Sequence, residues 1–182
     1  MAVNVSERKR ELTGLDAAAQ RVRALEQTLA ETRHSEKLLQ TPDGAKLVLQ
    51  SFQAISDTIE KTLSTAIQDS HVLRFRFSKP TYNLMYVQAD RGMHLGLYLS
   101  QLYDNSASNA LLEAKIFKSQ FNDFGQATSD PTILQSADFK PSFRAGDRVA
   151  WITADKKFEY GADEIVAYVV DLFREQIEKE FK

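Results

Sequence analysis

At His71 the spacing of apolar residues changes from three-and-four to two. Before that point apolar side chains recur at helical intervals; beyond it they alternate with polar ones as far as about Phe121, and a helical stripe returns only at the end of the chain. The two periods belong to different backbones, since a helix turns in about 3.6 residues and a strand flips its side chains at every step. Helices, then consecutive strands with short turns, then a closing helix make an α+β domain. Its sheet should be an antiparallel meander, because parallel strands need long crossovers between them.

The helical part divides at Thr41. From Ser6 to about Gln40 there is no proline and charge is dense. Leu15, Ala18, Val22, Leu25, Leu29 and Thr32 recur at 3-4-3-4-3 spacing, which is an a/d seam. Arg21, Arg23, Glu26, Glu31 and Arg33 occupy the remaining faces. A helix of about 35 residues is roughly 50 Å long, too long to bury wholly on a small domain. The expectation is a coiled-coil-like arm over residues 1–40. It forms a homo-oligomer, most simply a dimer, through Leu15, Val22, Leu25 and Leu29. The rival reading folds the helix back on its own domain.

Residues 41–182 read as the α+β domain. Thr41 is a good N-cap and Pro42 suits the first helical position, where its missing N–H costs nothing. The second helix is expected to run to about Asp69, with Val48, Phe52, Ile55, Ile59, Leu63 and Ile67 as its core stripe. Gly44 weakens its first turn. In the first strand Leu73, Phe75 and Phe77 face one way and Arg74 and Arg76 the other, with Pro80 marking its end. Asp90-Arg91-Gly92 is a tight turn between the next two strands. Met93, Leu95, Leu97 and Leu99 then point inward, and His94, Gly96, Tyr98 and Ser100 outward. After the polar loop "DNSASN", Leu112, Ala114 and Ile116 point inward.

Residues 122–147 show little periodicity and read as a long irregular loop, with "TILQSA" as a short strand inside it. "RVAWITA" is a strand with Val149 and Trp151 on one face, and "KKFEYG" another short one after a turn at Asp155. Ile165, Tyr168, Val169, Leu172, Phe173 and Ile177 form the last helical stripe. The expected architecture is a sheet of five or six antiparallel strands with helices packed on one face, behind the long N-terminal helix. Phe52, Ile59, Phe75, Leu97, Trp151, Val169 and Phe173 should share one core.

Composition narrows the function classes. The chain has 182 residues, 43% apolar and 26% charged, which is globular rather than disordered. A net charge of −2 gives no global field for nucleic acid or an anionic membrane. The absence of cysteine excludes disulfides, thiol catalysis, iron–sulfur clusters and thiolate zinc sites. The N-terminus lacks the apolar run of a signal peptide, and no stretch approaches the roughly 20 apolar residues that span a bilayer. Ala2 rules out N-myristoylation, and the sequon Asn4-Val5-Ser6 is read as chance. The expected setting is the cytoplasm, away from the membrane.

One triplet points to chemistry. Glu113-Ala114-Lys115 is the E-x-K pattern that metal-dependent nucleases of the PD-(D/E)xK type carry on a strand. Such a site needs a second carboxylate on a neighbouring strand to grip a divalent ion. Upstream, Asp90 and Asp104 are available. A hairpin turning at Ser106 and Ala107 sets Glu113 opposite Ser100 and Lys115 opposite Tyr98, out of reach of both acids. The plainer reading is an outer strand face of Glu113, Lys115 and Phe117.

His34, His71 and His94 lack metal-ligand spacing, and His94 reads as a surface histidine. There is no G-x-S-x-G, Walker loop or G-x-G-x-x-G. No catalytic, metal or cofactor residue is assigned. Arg74, Arg76 and Lys79 make a small basic row that His94, Tyr98 and Lys115 can share. Aromatics among cations on an open sheet are how single-stranded nucleic acid is held, but Glu113 dilutes the charge. The leading expectation is therefore a non-enzymatic, oligomeric binding protein. It offers its outer sheet face and the 122–147 loop to a protein partner or small ligand. The alternative acts on nucleic acid, as a single-strand binder or as a nuclease using Glu113 and Lys115.

Overall fold

A computed structural model describes residues 5–68, 74–89, 92–119, 130–155 and 157–180, with side chains from residue 14 onward and, in the second helix, to residue 65. Leu73, the side chain of Ile67, Asp90 and Arg91 lie outside the described residues, as does 120–129 of the expected loop.

The described residues form three helices and one seven-stranded antiparallel sheet. Helix α1 runs Val5–Leu39 and α2 Pro42–Gln68. The strands are β1 Phe75–Thr81, β2 Leu84–Ala89, β3 Met93–Ser100, β4 Leu111–Lys118, β5 Thr132–Arg144, β6 Arg148–Thr153 and β7 Glu159–Tyr160. Helix α3, Ala162–Glu180, closes the chain. The strands lie in sequence order, β1 to β7, as a meander.

Local chemistry sets the boundaries. Thr41 caps α2: its Oγ1 accepts the Gly44 N–H at 3.1 Å. At the start of α3 the Gly161 N–H donates to Glu164 Oε2 at 2.6 Å, the carboxylate half of a capping box. Asp155 shapes the β6–β7 turn. Its Oδ1 accepts from the Thr153 hydroxyl at 2.6 Å and the Lys157 N–H at 3.2 Å. These bonds, the Thr153 one first, pull its pKa down to about 2.

The sheet has seven strands, not five or six: half of the stretch expected to be irregular is the 13-residue β5, of which the expected short strand over residues 132–137 is the first part. Thr132 to Leu134 are exposed without alternation. Their order comes from the backbone ladder with β4, which runs from Lys118 opposite Thr132 to Leu112 opposite Phe139. Pro141 stands beyond the last β4 pairing, where a missing N–H costs the ladder least. Pro80 does not end β1. It lies inside that edge strand at a register shift between Ser78 and Thr81, two settings that tolerate proline.

One face of the sheet packs on α2 and α3. Val48, Phe52, Ile55, Ile59 and Leu63 are buried along α2, and Ile165, Val169, Phe173 and Ile177 along α3. They meet Leu95, Leu97, Leu99, Leu112 and Trp151 in one core, with Phe75 packed at its margin. Trp151 is fully buried and its Nε1–H donates to Ser51 Oγ at 3.1 Å.

The C-terminal turns of α1 join this body. Leu38 and Leu39 pack on the core, and Ser35 is buried, its Oγ accepting the Phe143 N–H at 3.0 Å. The Leu39 carbonyl accepts the Ala107 N–H at 2.7 Å. Residues 14–34 are all exposed, including Leu15, Val22, Leu25 and Leu29. No helix among the described residues is long and apolar enough to cross a membrane.

Candidate functional site

Side chains alternate along each strand, so the face opposite the helices collects the partners of Gly96 and Tyr98. Three rungs cross it. The first is Leu84, Tyr98, Glu113 and Asp138. The second is Ser78, Tyr86, Gly96, Lys115 and Ser136. The third is Arg76, Gln88, His94, Phe117 and Ile133.

The rungs enclose an open groove of about 550 Å³. Its floor is Gly96, where the side chains of Tyr86 and Phe117 on the flanking strands leave little room for more. A Cβ there would lie 3.2 Å from Tyr86 Cε1 and 3.4 Å from Phe117 Cε1. Glycine inside a strand marks such a close approach. The Tyr86 and Phe117 rings meet edge to face at 6.4 Å. Tyr98 and Ile133 stand exposed beside them, and Asn83, Glu113 and Lys115 supply the polar rim.

The β3–β4 register differs from expectation by two residues. Glu113 faces Tyr98, and Lys115 faces Gly96. The loop between the strands folds into two turns, Tyr103 to Ser106 and Ala107 to Ala110, and its midpoint is displaced by one residue. A shift of two keeps every side chain on its expected face.

Lys115 Nζ donates to Glu113 Oε1 at 2.6 Å. That bond raises the Lys115 pKa against partial burial, with further pull from the charges of Glu113 and Asp138. Asp138 is the acid that sequence reasoning missed, because it lies downstream of the triplet in a stretch with no assigned strand. It sits directly opposite Glu113 on the neighbouring strand. Two carboxylates and a lysine are thus brought together. Among the described residues, however, no group of three or more His, Asp or Glu side chains could hold a metal ion.

Of the expected site residues, the structure gathers Arg76, His94, Tyr98 and Lys115 on this face. Arg74 precedes β1 and is exposed. Lys79 does not join them: it reaches Asp57 at 2.6 Å and Glu60 at 2.7 Å on α2. Burial lowers its pKa, but hydrogen bonds to those two carboxylates outweigh it and raise the value.

His94 is not a surface histidine but is buried, 3% exposed. Phe117 stacks on its ring at 5.1 Å, and Nε2–H donates to the Ser119 carbonyl at 3.2 Å. Burial lowers its pKa below the usual 6.5, against the opposite pull of that hydrogen bond. The direction fixes a pH effect. Well above pH 6.5 the ring is neutral in both folded and unfolded chains, and its contribution is complete. As pH falls, the unfolded chain takes up a proton that the folded one resists, so stability drops until the folded pKa is passed. Urea midpoints are expected to fall between about pH 7 and about pH 5, and more steeply for the wild type than for His94→Gln. Equal slopes would remove His94 as the cause.

Comparison of the chain with protein-family profiles, curated sequences and solved structures finds no match.

Proposed function

We propose that this chain is a non-enzymatic, self-associating binding protein that takes a small, flat, largely apolar ligand into the groove over Gly96. The observation that carries the reading is three aromatic side chains, Tyr86, Tyr98 and Phe117, around a glycine floor on the face opposite α2 and α3. Concave, mostly apolar sites with a few placed polar groups are the usual form of a small-molecule pocket. Glu113 and Lys115 neutralise each other at the rim, so orientation comes from hydrogen bonds rather than net charge. The exposed seam of α1 is the proposed surface for self-association. A cysteine-free fold gains nothing from an oxidising compartment, and the cytoplasm is the proposed setting.

The test is titration with a flat aromatic fluorophore such as anilinonaphthalene sulfonate. Saturable binding at one site per chain is expected for the wild type. Gly96→Leu fills the floor and is expected to weaken binding by at least about tenfold, which corresponds to about 1.4 kcal/mol. Equal binding by wild type and Gly96→Leu ends the proposal.

Asp138 opposite Glu113 gives the nuclease reading one supporting observation. Glu113 would have to release Lys115 to bind a divalent ion. The outcome expected here is no cleavage of DNA or RNA with Mg²⁺ or Mn²⁺. Metal-dependent cleavage lost in both Glu113→Gln and Asp138→Asn would replace the binding reading.

A further inference from the structure

Every residue of α1 from 14 to 34 is exposed, and Leu15, Val22, Leu25 and Leu29 are 67%, 53%, 63% and 55% exposed. We infer that a second copy of this chain covers that seam as a parallel, in-register, two-stranded coiled coil. The inference rests on the reading that the arm self-associates, and it adds the partner, the orientation and the register.

The period argues for a helix as the occupant. A helix laid on a globular surface presents a broad apolar stripe, whereas a seam repeating about every 3.5 residues fits one other helix that supercoils with it. Leu15, Val22 and Leu29 take the a positions, and Ala18, Leu25 and Thr32 the d positions. A β-branched residue at a beside leucine at d, as in Val22 and Leu25, favours two strands.

The charges argue for a second copy in parallel. The g positions hold Gly14, Arg21 and Thr28, and the e positions Ala19, Glu26 and Arg33. In a parallel pair each g residue faces the e residue of the partner's next heptad. Arg21 therefore faces Glu26 of the second copy, twice by symmetry, and the pairs Gly14–Ala19 and Thr28–Arg33 oppose no like charges. In an antiparallel pair g faces g and e faces e, so Arg21 finds no acid. The one antiparallel register that joins Glu26 to Arg33 leaves Leu15 and Val22 without apolar partners. The parallel arrangement also sets both sheet domains at one end of the coil. Two grooves are then presented together, which favours ligands that occur in pairs or repeats.

The test uses the full chain. Light scattering is expected to give a dimer for the wild type and a monomer with an intact circular-dichroism signal for Leu25→Asp, since Leu25 is exposed in the fold of one chain. The chain has no cysteine of its own. Ala18→Cys and Thr32→Cys are each expected, alone, to give a disulfide-linked dimer under mild oxidation, because identical positions meet only in register. Arg21→Glu and Glu26→Arg are each expected to weaken the dimer by about tenfold or more, and an equimolar mixture of the two to restore it. A monomeric wild type overturns both the association reading and this one. A dimer in which neither variant cross-links alone, but Ala18→Cys does so when mixed with Leu29→Cys, is antiparallel, since a then faces d, and it overturns this inference alone. A mass above the dimer overturns the two-stranded form.

Discussion

Replacing Phe52 with alanine is expected to cost about 3–5 kcal/mol. Phe52 is 1% exposed at the centre of α2's buried stripe. Truncation removes its transfer free energy and leaves a cavity that Val48, Ile55 and the strands beneath can fill only in part. Against a total stability of roughly 5–15 kcal/mol for a domain, that loss is a large fraction. With a urea slope of about 2 kcal/mol/M the midpoint should fall by roughly 2 M. Gln53→Ala, on the exposed side of the same helix, should change stability by less than about 0.5 kcal/mol. A near-neutral Phe52→Ala would mean that α2 turns a different face to the sheet.

The helices were legible because bulky side chains repeat on one side only. Val48, Phe52, Ile55 and Ile59 name the buried face of α2 without help from tertiary structure. Strands β2 to β4 were legible for the same kind of reason, with Leu95, Leu97 and Leu99 inward and Tyr98 out. β5 was legible only as the short strand over residues 132–137; its second half, where Phe139 and Phe143 are buried, was hidden by Pro141, which reads against a strand interior. Its order is a property of the ladder, which composition does not encode. Asp138 stands one residue past that short strand, and an acid in an unassigned loop has no neighbour to be measured against.

The groove was partly legible. Gly96 between two strand residues, with Tyr98 and Phe117 on its own face, was a readable sign of a close approach. Tyr86 follows from the same alternation, standing between the inward Met85 and Val87. The burial of His94 was not legible, because it depends on which residue stands across the hairpin. The expected register puts Ser119 there; the observed one puts Phe117 there, and its ring covers the imidazole. A two-residue slip leaves faces intact but changes every cross-strand neighbour, and neighbours decide burial.

Gly44 carries the second large effect, and its sign is opposite to the one helix propensity gives. Glycine within a helix normally costs about 1 kcal/mol against alanine, so Gly44→Ala should stabilise if α2 stood alone. It does not stand alone. A Cβ on Gly44 would lie 2.0 Å from the Leu38 carbonyl oxygen and 2.7 Å from its carbon, and both are backbone. That carbonyl already accepts the Thr41 N–H at 3.0 Å and the Thr41 hydroxyl at 2.7 Å, so it has little freedom to move aside. The methyl group must instead push the end of α1 off the first turn of α2. The Leu39–Ala107 hydrogen bond and the packing of Leu38 and Leu39 go with it. Gly44→Ala is therefore expected to destabilise the domain by about 2 kcal/mol or more. Gly14→Ala is the control. A Cβ there meets nothing within 4 Å, so it should gain up to about 1 kcal/mol of helix stability. Urea denaturation of the two variants separates the explanations. Opposite signs follow from the helix corner, whereas a gain in both would mean that α1 and α2 do not approach each other at Gly44.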